Sequence, residues 1–423
     1  MARTMALGVS LVAAIALGAA GSGFEPPGTF QASKILAAGL LRGPHHTVAE
    51  EVKEEDFYQH FHIRSDFGDL DAPGRTVLRT RLEEVEALAR LDEVSKTEVF
   101  VRAAGGAVLD LGKGVVSAVK DPVSTVKGIG RGLKRLGVSL GRKAKRAADR
   151  VTKDDKKPEG EQKSAEEKAL DAAGGAANSV FGVNAAAREW AKKLGVDPYT
   201  TNPVLHDALV DMGRIDAAGS IAVKVAVPVP MAVAATATVG GLVWGADPEA
   251  VRKENERRAT ELGVSKEVAG RYFVNGNYTL TSQTRLIAAL HAVGVPGTAD
   301  YLDAASEAAD EREALFFVES AEMLAGLHKT EPVSAILEDS RAMVARTGSQ
   351  AVALMPFDRL RWTESLKDSA REIGARSRKE LGATALTVQL SGQATPTARA
   401  RLRAAGWTVR EGLVAGLLVT PAD

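Results

Sequence analysis

The sequence predicts a mainly α-helical protein with smaller α/β or α+β parts towards its two ends. Three observations lead to this prediction. Helix-start signals recur through the middle of the chain, apolar residues there follow a helical period, and strand-like alternation is concentrated near residues 54–70 and 350–419. The 423 residues have room for two or three domains, and a hydrophobic content of 45% is sufficient for at least one large core.

Residues 1–20 have the pattern of a secretory signal peptide. Arg3 supplies a positive charge, residues 5–20 are uncharged, and the small residues 21–23 follow. This run is shorter than the ~20 apolar residues of a membrane-spanning helix, which favours cleavage after about Ala20 over an uncleaved anchor. We therefore expect an exported protein, located in the periplasm, in the envelope or outside the cell.

The chain contains no cysteine. This excludes disulfides, thiolate metal sites and cysteine nucleophiles. An exported protein without disulfides must be stabilised by the packing of its core.

Residues 24–102 are predicted to form a small α+β region with a short hairpin and a helix. The alternation over Glu54–Leu70 indicates a strand, Asp71–Gly74 indicates a turn, and Thr76–Leu91 has the apolar spacing of an amphipathic helix. On the strand, one face would carry Phe57, Phe61 and Ile63, and the other Tyr58, His60, His62 and Arg64.

His60 and His62 are the candidate metal ligands. A His-x-His pair on a strand places both imidazoles on the same side, and aspartates follow at positions 66, 69 and 71. The aspartate spacing differs from that of a calcium loop and lacks its final glutamate, which argues against calcium. The alternative interpretation is that both histidines are ordinary polar-face residues exposed to solvent.

Residues 103–170 combine a basic Gly/Val/Lys belt with a charged linker. Between residues 112 and 157 there are 14 lysines and arginines against 4 aspartates and glutamates, a net charge of +10. Because the whole chain has a formal net charge of zero, the remainder carries −10. Residues 24–111 have a net charge of −6 and residues 246–341 one of −7, so the neutral total conceals a basic belt between acidic blocks.

We interpret the belt as a contact surface for an anionic membrane or an envelope protein. Two alternatives remain: a solvated linker that docks on the acidic blocks of the same chain, and a nucleic-acid contact. The belt has no aromatic residue to stack on bases, so nucleic acid is the least favoured partner. The predicted contact residues are Lys113, Lys120, Lys127, Arg131, Lys134, Arg135, Arg142, Lys143, Lys145 and Arg146.

Residues 171–340 are predicted to be a helical domain. Helices are expected to begin at Asn202-Pro203, at Asp247-Pro248 and at Ser265, because these residues combine N-caps with first-turn prolines or acids. Asn275-Gly276 could form a tight turn between two short strands. The uncharged segment Val225–Ala246 is long enough to span a membrane, but two prolines shorten any helix in it, which favours a buried segment over an inserted one.

Residues 341–423 are predicted to form a small α/β unit. Strands are expected at Gln350–Phe357, Ala385–Leu390, Trp407–Arg410 and Val414–Val419, with a capped helix over Pro396–Ala405.

The sequence favours a non-enzymatic function. No catalytic residue or cofactor is assigned. Gly137-x-Ser139-x-Gly141 has the residue spacing of a nucleophile elbow, but no strand leads into it, as that motif requires. We expect an exported envelope or periplasmic binding or scaffold protein, associated with the membrane surface through the belt. The alternatives are a periplasmic hydrolase or metal-binding protein that uses His60 and His62, and a secreted toxin or pore-forming protein.

Overall fold

The computed structural model describes residues 23–104, 183–216 and 237–412. The predicted signal peptide, all ten predicted belt contacts and the predicted strand Val414–Val419 lie outside these residues.

The N-terminal part is a five-stranded antiparallel sheet in which β4 pairs with β2, β3 and β5. Its strands are β1 Thr29–Gln31, β2 His46–Val48, β3 Glu51–Glu55, β4 Tyr58–Ser65 and β5 Gly68–Pro73. The short helices α1 Ala32–Ile35 and α2 Ala38–Leu41 lie between β1 and β2, and the helices α3 Arg75–Ser95 and α4 Glu98–Ala103 follow the sheet.

The prediction of one strand over Glu54–Leu70 and a turn at Asp71–Gly74 is wrong. Asp56 and Phe57 adopt φ angles of 47° and 73°, so the chain reverses there between β3 and β4. It reverses again after β4, and Asp71 lies within β5, paired with His62. Alternation of apolar and polar residues continues through such two-residue turns, which hides them in the sequence.

Eight helices lie in the described residues of the middle of the chain, 183–216 and 237–330. They are α5 Ala185–Leu194, α6 Pro203–Ile215, α7 Ala237–Gly245, α8 Pro248–Glu261, α9 Lys266–Phe273, α10 Leu280–Val293, α11 Thr298–Ala305 and α12 Glu311–Thr330. Asn202, Asp247 and Ser265 cap α6, α8 and α9 with their side-chain oxygens, as expected from the sequence. The two short strands proposed around Asn275-Gly276 are not formed. Tyr272 and Phe273 lie in α9, Leu280 begins α10, and residues 274–279 form the turn between the two helices.

The structure describes only the last residues of the uncharged segment Val225–Ala246, and they form helix α7. Val239 and Val243 are buried in a small apolar cluster, and the Trp244 indole N–H donates to the Val196 carbonyl at 2.9 Å. No helix among the described residues is both long and apolar enough to cross a membrane.

The C-terminal part is a second five-stranded sheet, in the order β12-β10-β8-β7-β6. Strands β8, β10 and β12 are parallel, whereas β6, β7 and β8 form an antiparallel meander. The strands are β6 Val333–Ile336, β7 Met343–Thr347, β8 Gln350–Met355, β10 Ala385–Leu390 and β12 Trp407–Arg410, with a separate pair β9 Arg359–Leu360 and β11 Gln393–Ala394. The helices α13 Glu364–Glu380 and α14 Pro396–Ala404 connect the parallel strands.

The prediction of a mainly α-helical protein is therefore wrong: the fold is a mixture of α and β, with a five-stranded sheet in each terminal part. Short strands such as Glu51–Glu55 and Val333–Ile336 contain too few residues to show a period, and they form because a neighbouring strand offers hydrogen bonds.

The largest apolar core includes residues from all three parts, and the Phe316 and Phe357 rings stack within it at 5.5 Å. The proposed division of the chain into domains stays a prediction.

Candidate functional site: a central polar pocket

His62 is held by two aspartates of β5. Its Nδ1 lies 3.0 Å from Asp71 Oδ1, and its Nε2 lies 3.3 Å from Asp69 Oδ2. His60 is largely buried, which lowers its pKa, and its Nε2 has no partner among the described residues. The described residues contain no group of three His, Asp or Glu side chains placed to hold a metal ion, and a metal role for His60 and His62 stays a prediction.

A polar pocket lies where α3, α10, α12 and the loop 197–202 meet, and we call it the central pocket. It has a volume of about 100 Å³. The pocket is lined by seven hydroxyl side chains, four acidic side chains and two arginines. These are Thr76, Thr80, Thr200, Thr201, Thr279, Thr281 and Ser282; Glu84, Asp197, Glu311 and Glu319; and Arg81 and Arg285.

Glu84 fixes the loop that closes one side of the pocket. It is buried on α3 and accepts hydrogen bonds from the Thr200 hydroxyl, from Asn202 Nδ2 at 3.1 Å and from Arg81 Nη1 at 2.8 Å. Asn202 also caps α6 through its side-chain oxygen. One carboxylate therefore joins α3 to the start of α6, although the two are more than a hundred residues apart in the chain.

Asp197, in the loop that lines the central pocket, has one carboxylate oxygen that accepts no hydrogen bond from a described residue. Its Oδ1 accepts from the Tyr199 backbone N–H at 2.9 Å and from the Thr281 hydroxyl at 2.6 Å, whereas no described residue donates to Oδ2. Burial raises its pKa to about 6, although both hydrogen bonds favour the ionised form. Asp197 can therefore exchange a proton close to neutral pH.

Glu319 supplies a second unsatisfied acceptor. The residue is 7% exposed, and its Oε2 accepts from Arg312 Nη2 at 2.6 Å. Its Oε1 is buried and has no hydrogen-bond partner. Burial raises the pKa of this carboxyl group, while Arg312 and Arg285 oppose the rise. A buried carboxylate oxygen without a donor is energetically unfavourable, so a bound donor would be favoured there.

The two lining arginines are already engaged. Arg285 holds Glu322 with Nε and Nη2, both at 2.8 Å. Arg81 binds Glu84 and also donates to the Thr201 hydroxyl at 2.6 Å, and that hydroxyl donates to Glu311 at 2.9 Å. With every group ionised, the lining has a net charge of −2. The pocket is therefore suited to a hydroxylated cation rather than to an anion.

Sequence reasoning missed this pocket. On α3, Glu84 looks like one of several solvent-facing acids, and Asp197 lies in a loop with no motif around it. A usable signal was the concentration of hydroxyl residues in the segments Tyr199–Asn202 and Tyr278–Ser282, just before and within helix starts.

Comparisons with protein-family models, with curated proteins and with solved structures found no match to this chain.

Proposed function

We propose that the protein is a binding protein whose central pocket takes a small hydroxylated organic cation. The observation that carries the proposal is a pocket lining with seven hydroxyl side chains and a net charge of −2, to which Glu319, with an unpartnered buried Oε1, belongs. An ammonium group would donate to Glu319 and to Asp197 Oδ2, and the threonine hydroxyls would bind the hydroxyls of the ligand.

The size of the pocket favours an organic molecule over a bare ion. One water molecule needs ~10–15 Å³ of such space, so a pocket of about 100 Å³ has room for several non-hydrogen atoms. This proposal agrees with the expectation of a non-enzymatic binding protein exported to the envelope or periplasm.

Matched pairs of small molecules test the requirement for a cation. We expect ethanolamine to bind at least ~10-fold more tightly than ethylene glycol, and serinol than glycerol, as measured by titration calorimetry. Within each pair one hydroxyl replaces one ammonium group. Glu319→Gln should weaken binding of both amines, whereas the exposed Asp207→Asn should leave it unchanged. Equal affinity for amine and alcohol, or binding of neither, would overturn the proposal.

Binding of the amines should depend on pH through Asp197. Its pKa of about 6 means that the carboxyl group is mostly ionised at pH 7 and mostly protonated at pH 5. Because the amines stay protonated at both values, their affinity should fall ~10-fold between pH 7 and pH 5. Asp197→Asn should weaken binding and reduce this dependence, because Glu319, whose pKa burial also raises, would still titrate. A pH profile that the substitution leaves unchanged would contradict the assignment.

Association with an anionic membrane surface through the belt remains a second proposal, favoured by the +10 charge of residues 112–157. Deletion of 112–150 should lower binding to phosphatidylglycerol vesicles at low salt at least ~10-fold, and high salt should have the same effect on the full chain. Binding that is unaffected by the deletion would exclude the belt as the contact. The metal-dependent and pore-forming alternatives stay predictions.

A further inference from the structure

Helices α13 and α14 follow the parallel strands β8 and β10 of the C-terminal sheet. Both connect neighbouring parallel strands in the same direction across the sheet, and right-handed connections place such helices on the same face. A Cβ built on Gly406, just after α14, would lie 3.5 Å from Nη2 of Arg378 of α13. Trp407, which follows, donates its indole N–H to the Ala370 carbonyl of α13 at 3.3 Å.

Four exposed cations lie on these two helices, and we call them the exit face: Lys367, Arg371, Arg378 and Arg401. The three on α13 are spaced four and seven residues apart, so they share one side of the helix. Arg371 lies 3.4 Å from Asp368, whereas the other three have no acidic partner among the described residues. Together α13 and α14 carry eight basic and four acidic residues.

The first described residues of the chain lie at this face. A Cβ built on Gly23 would lie 3.3 Å from Nη2 of Arg401, and the Phe24 ring centroid lies 6.0 Å from Nζ of Lys367. Glu25 is fixed there, because its Oε2 accepts from the Trp362 backbone N–H and from the Thr395 hydroxyl, each at 2.6 Å. Only residues 21 and 22 separate this point from the uncharged run 5–20.

The geometry points to the exit face as a docking surface for a bilayer that contains anionic phospholipid. Lysine and arginine are attracted to anionic lipid surfaces. In the alternative in which residues 1–20 are not cleaved, the uncharged run 5–20 is a short apolar anchor, which binds stably only when a second signal such as a basic patch accompanies it. In that uncleaved chain only residues 21 and 22 separate the run from Gly23, which lies beside Arg401. Neither α13 nor α14 contains an aromatic residue on which nucleic-acid bases would stack, and the Phe24 ring beside Lys367 is partly buried against the core.

Vesicle flotation of the full chain tests this docking surface. The vesicles contain two parts phosphatidylcholine to one part phosphatidylglycerol, and phosphatidylcholine alone serves as the neutral comparison. The variant Lys367→Gln/Arg371→Gln/Arg378→Gln/Arg401→Gln should lose ~10-fold in partition to the anionic vesicles. A matched control removes four exposed cations elsewhere: Lys192→Gln/Lys193→Gln/Lys253→Gln/Lys266→Gln. It should partition like the unmodified chain.

Equal losses in the two variants would mean that only total charge matters, and no loss in either would mean that the contact lies elsewhere. Both results would overturn the assignment. It would also be overturned if the variant at Lys367, Arg371, Arg378 and Arg401 lost binding to single-stranded DNA but kept its binding to the anionic vesicles. All eight replaced side chains are exposed, so the thermal unfolding of both variants should resemble that of the parent.

A fluorophore reports which face touches the lipid. Because the chain has no cysteine, Ala375→Cys on α13 and Lys266→Cys on α9 can each be labelled at a single site. Anionic vesicles should shift the emission of a polarity-sensitive label at position 375 to shorter wavelength and leave the label at position 266 unchanged. A shift at 266 alone, or at neither position, would contradict docking through the exit face.

Discussion

Replacing Arg312 with methionine should lower the free energy of unfolding by about 3–5 kcal/mol at pH 7. Arg312 is 4% exposed, donates to Glu319 at 2.6 Å and to the Pro73 carbonyl at 3.2 Å, and its guanidinium lies 4.1 Å above the Tyr58 ring. Without it, both oxygens of the buried Glu319 would lack a donor. Urea denaturation measures the change.

The cost should be smaller at pH 5. Burial already raises the pKa of Glu319, and removal of Arg312 would raise it further. A carboxyl group with a raised pKa in the folded state contributes stability at low pH and loses it as the pH rises through that pKa. The double variant Arg312→Met/Glu319→Leu should therefore be more stable than Arg312→Met alone.

The control for this prediction is Arg214→Met. Arg214 pairs with Asp211 at 3.0 Å, and their side chains are 69% and 51% exposed, so its loss should cost less than about 1 kcal/mol. If Arg312→Met costs no more than this control, the pair with Glu319 does not stabilise the fold as argued.

Replacing Glu54 with alanine should cost about 2–4 kcal/mol of unfolding free energy. The Glu54 side chain is 0% exposed and accepts from Arg359 Nη1 at 2.6 Å and from Arg361 Nε at 2.7 Å. Both arginines follow β8, so the carboxylate joins β3 to the C-terminal part. The cost should be below that for Arg312→Met, because the two arginines are partly exposed and water would solvate them.

Hydrogen exchange gives this second prediction a local readout. In Glu54→Ala the amide of Arg359, which donates to the Phe57 carbonyl at 3.0 Å, should exchange faster. Glu51→Ala is the matched control, because Glu51 is 65% exposed and its one ion pair among the described residues is with the equally exposed Lys53. Equal effects of the two substitutions on stability and exchange would show that burial of Glu54 is not important.

Helix starts were predictable because their determinants are local. Asn202 and Asp247 accept hydrogen bonds from backbone N–H groups only two or three residues away, and a proline follows each. The parallel strands β10 and β12 were also predicted, since continuous apolar or β-branched residues mark strands that other elements cover. Helix α13 was missed, because it is strongly charged and its apolar face is narrow.

The candidate site depended on contacts between distant segments. Nothing near Glu84 or Asp197 in the sequence distinguishes them from other acids, and their roles arise when Thr200, Asn202 and Thr281 are brought beside them. The raised pKa of Asp197 comes mainly from burial, and burial belongs to the assembled fold.

By itself the sequence determined the segregation of charge, the absence of cysteine and the positions at which helices α6, α8 and α9 begin. The charge segregation and the absence of cysteine follow directly from which residues occur where, and each helix start depends on contacts within one helical turn. Only the tertiary structure decided the partners of the short strands, the central pocket and the position of the N-terminal segment beside Arg401. The physical reason is that strand pairing, burial and the pKa shifts that follow from it require residues far apart in the chain to meet.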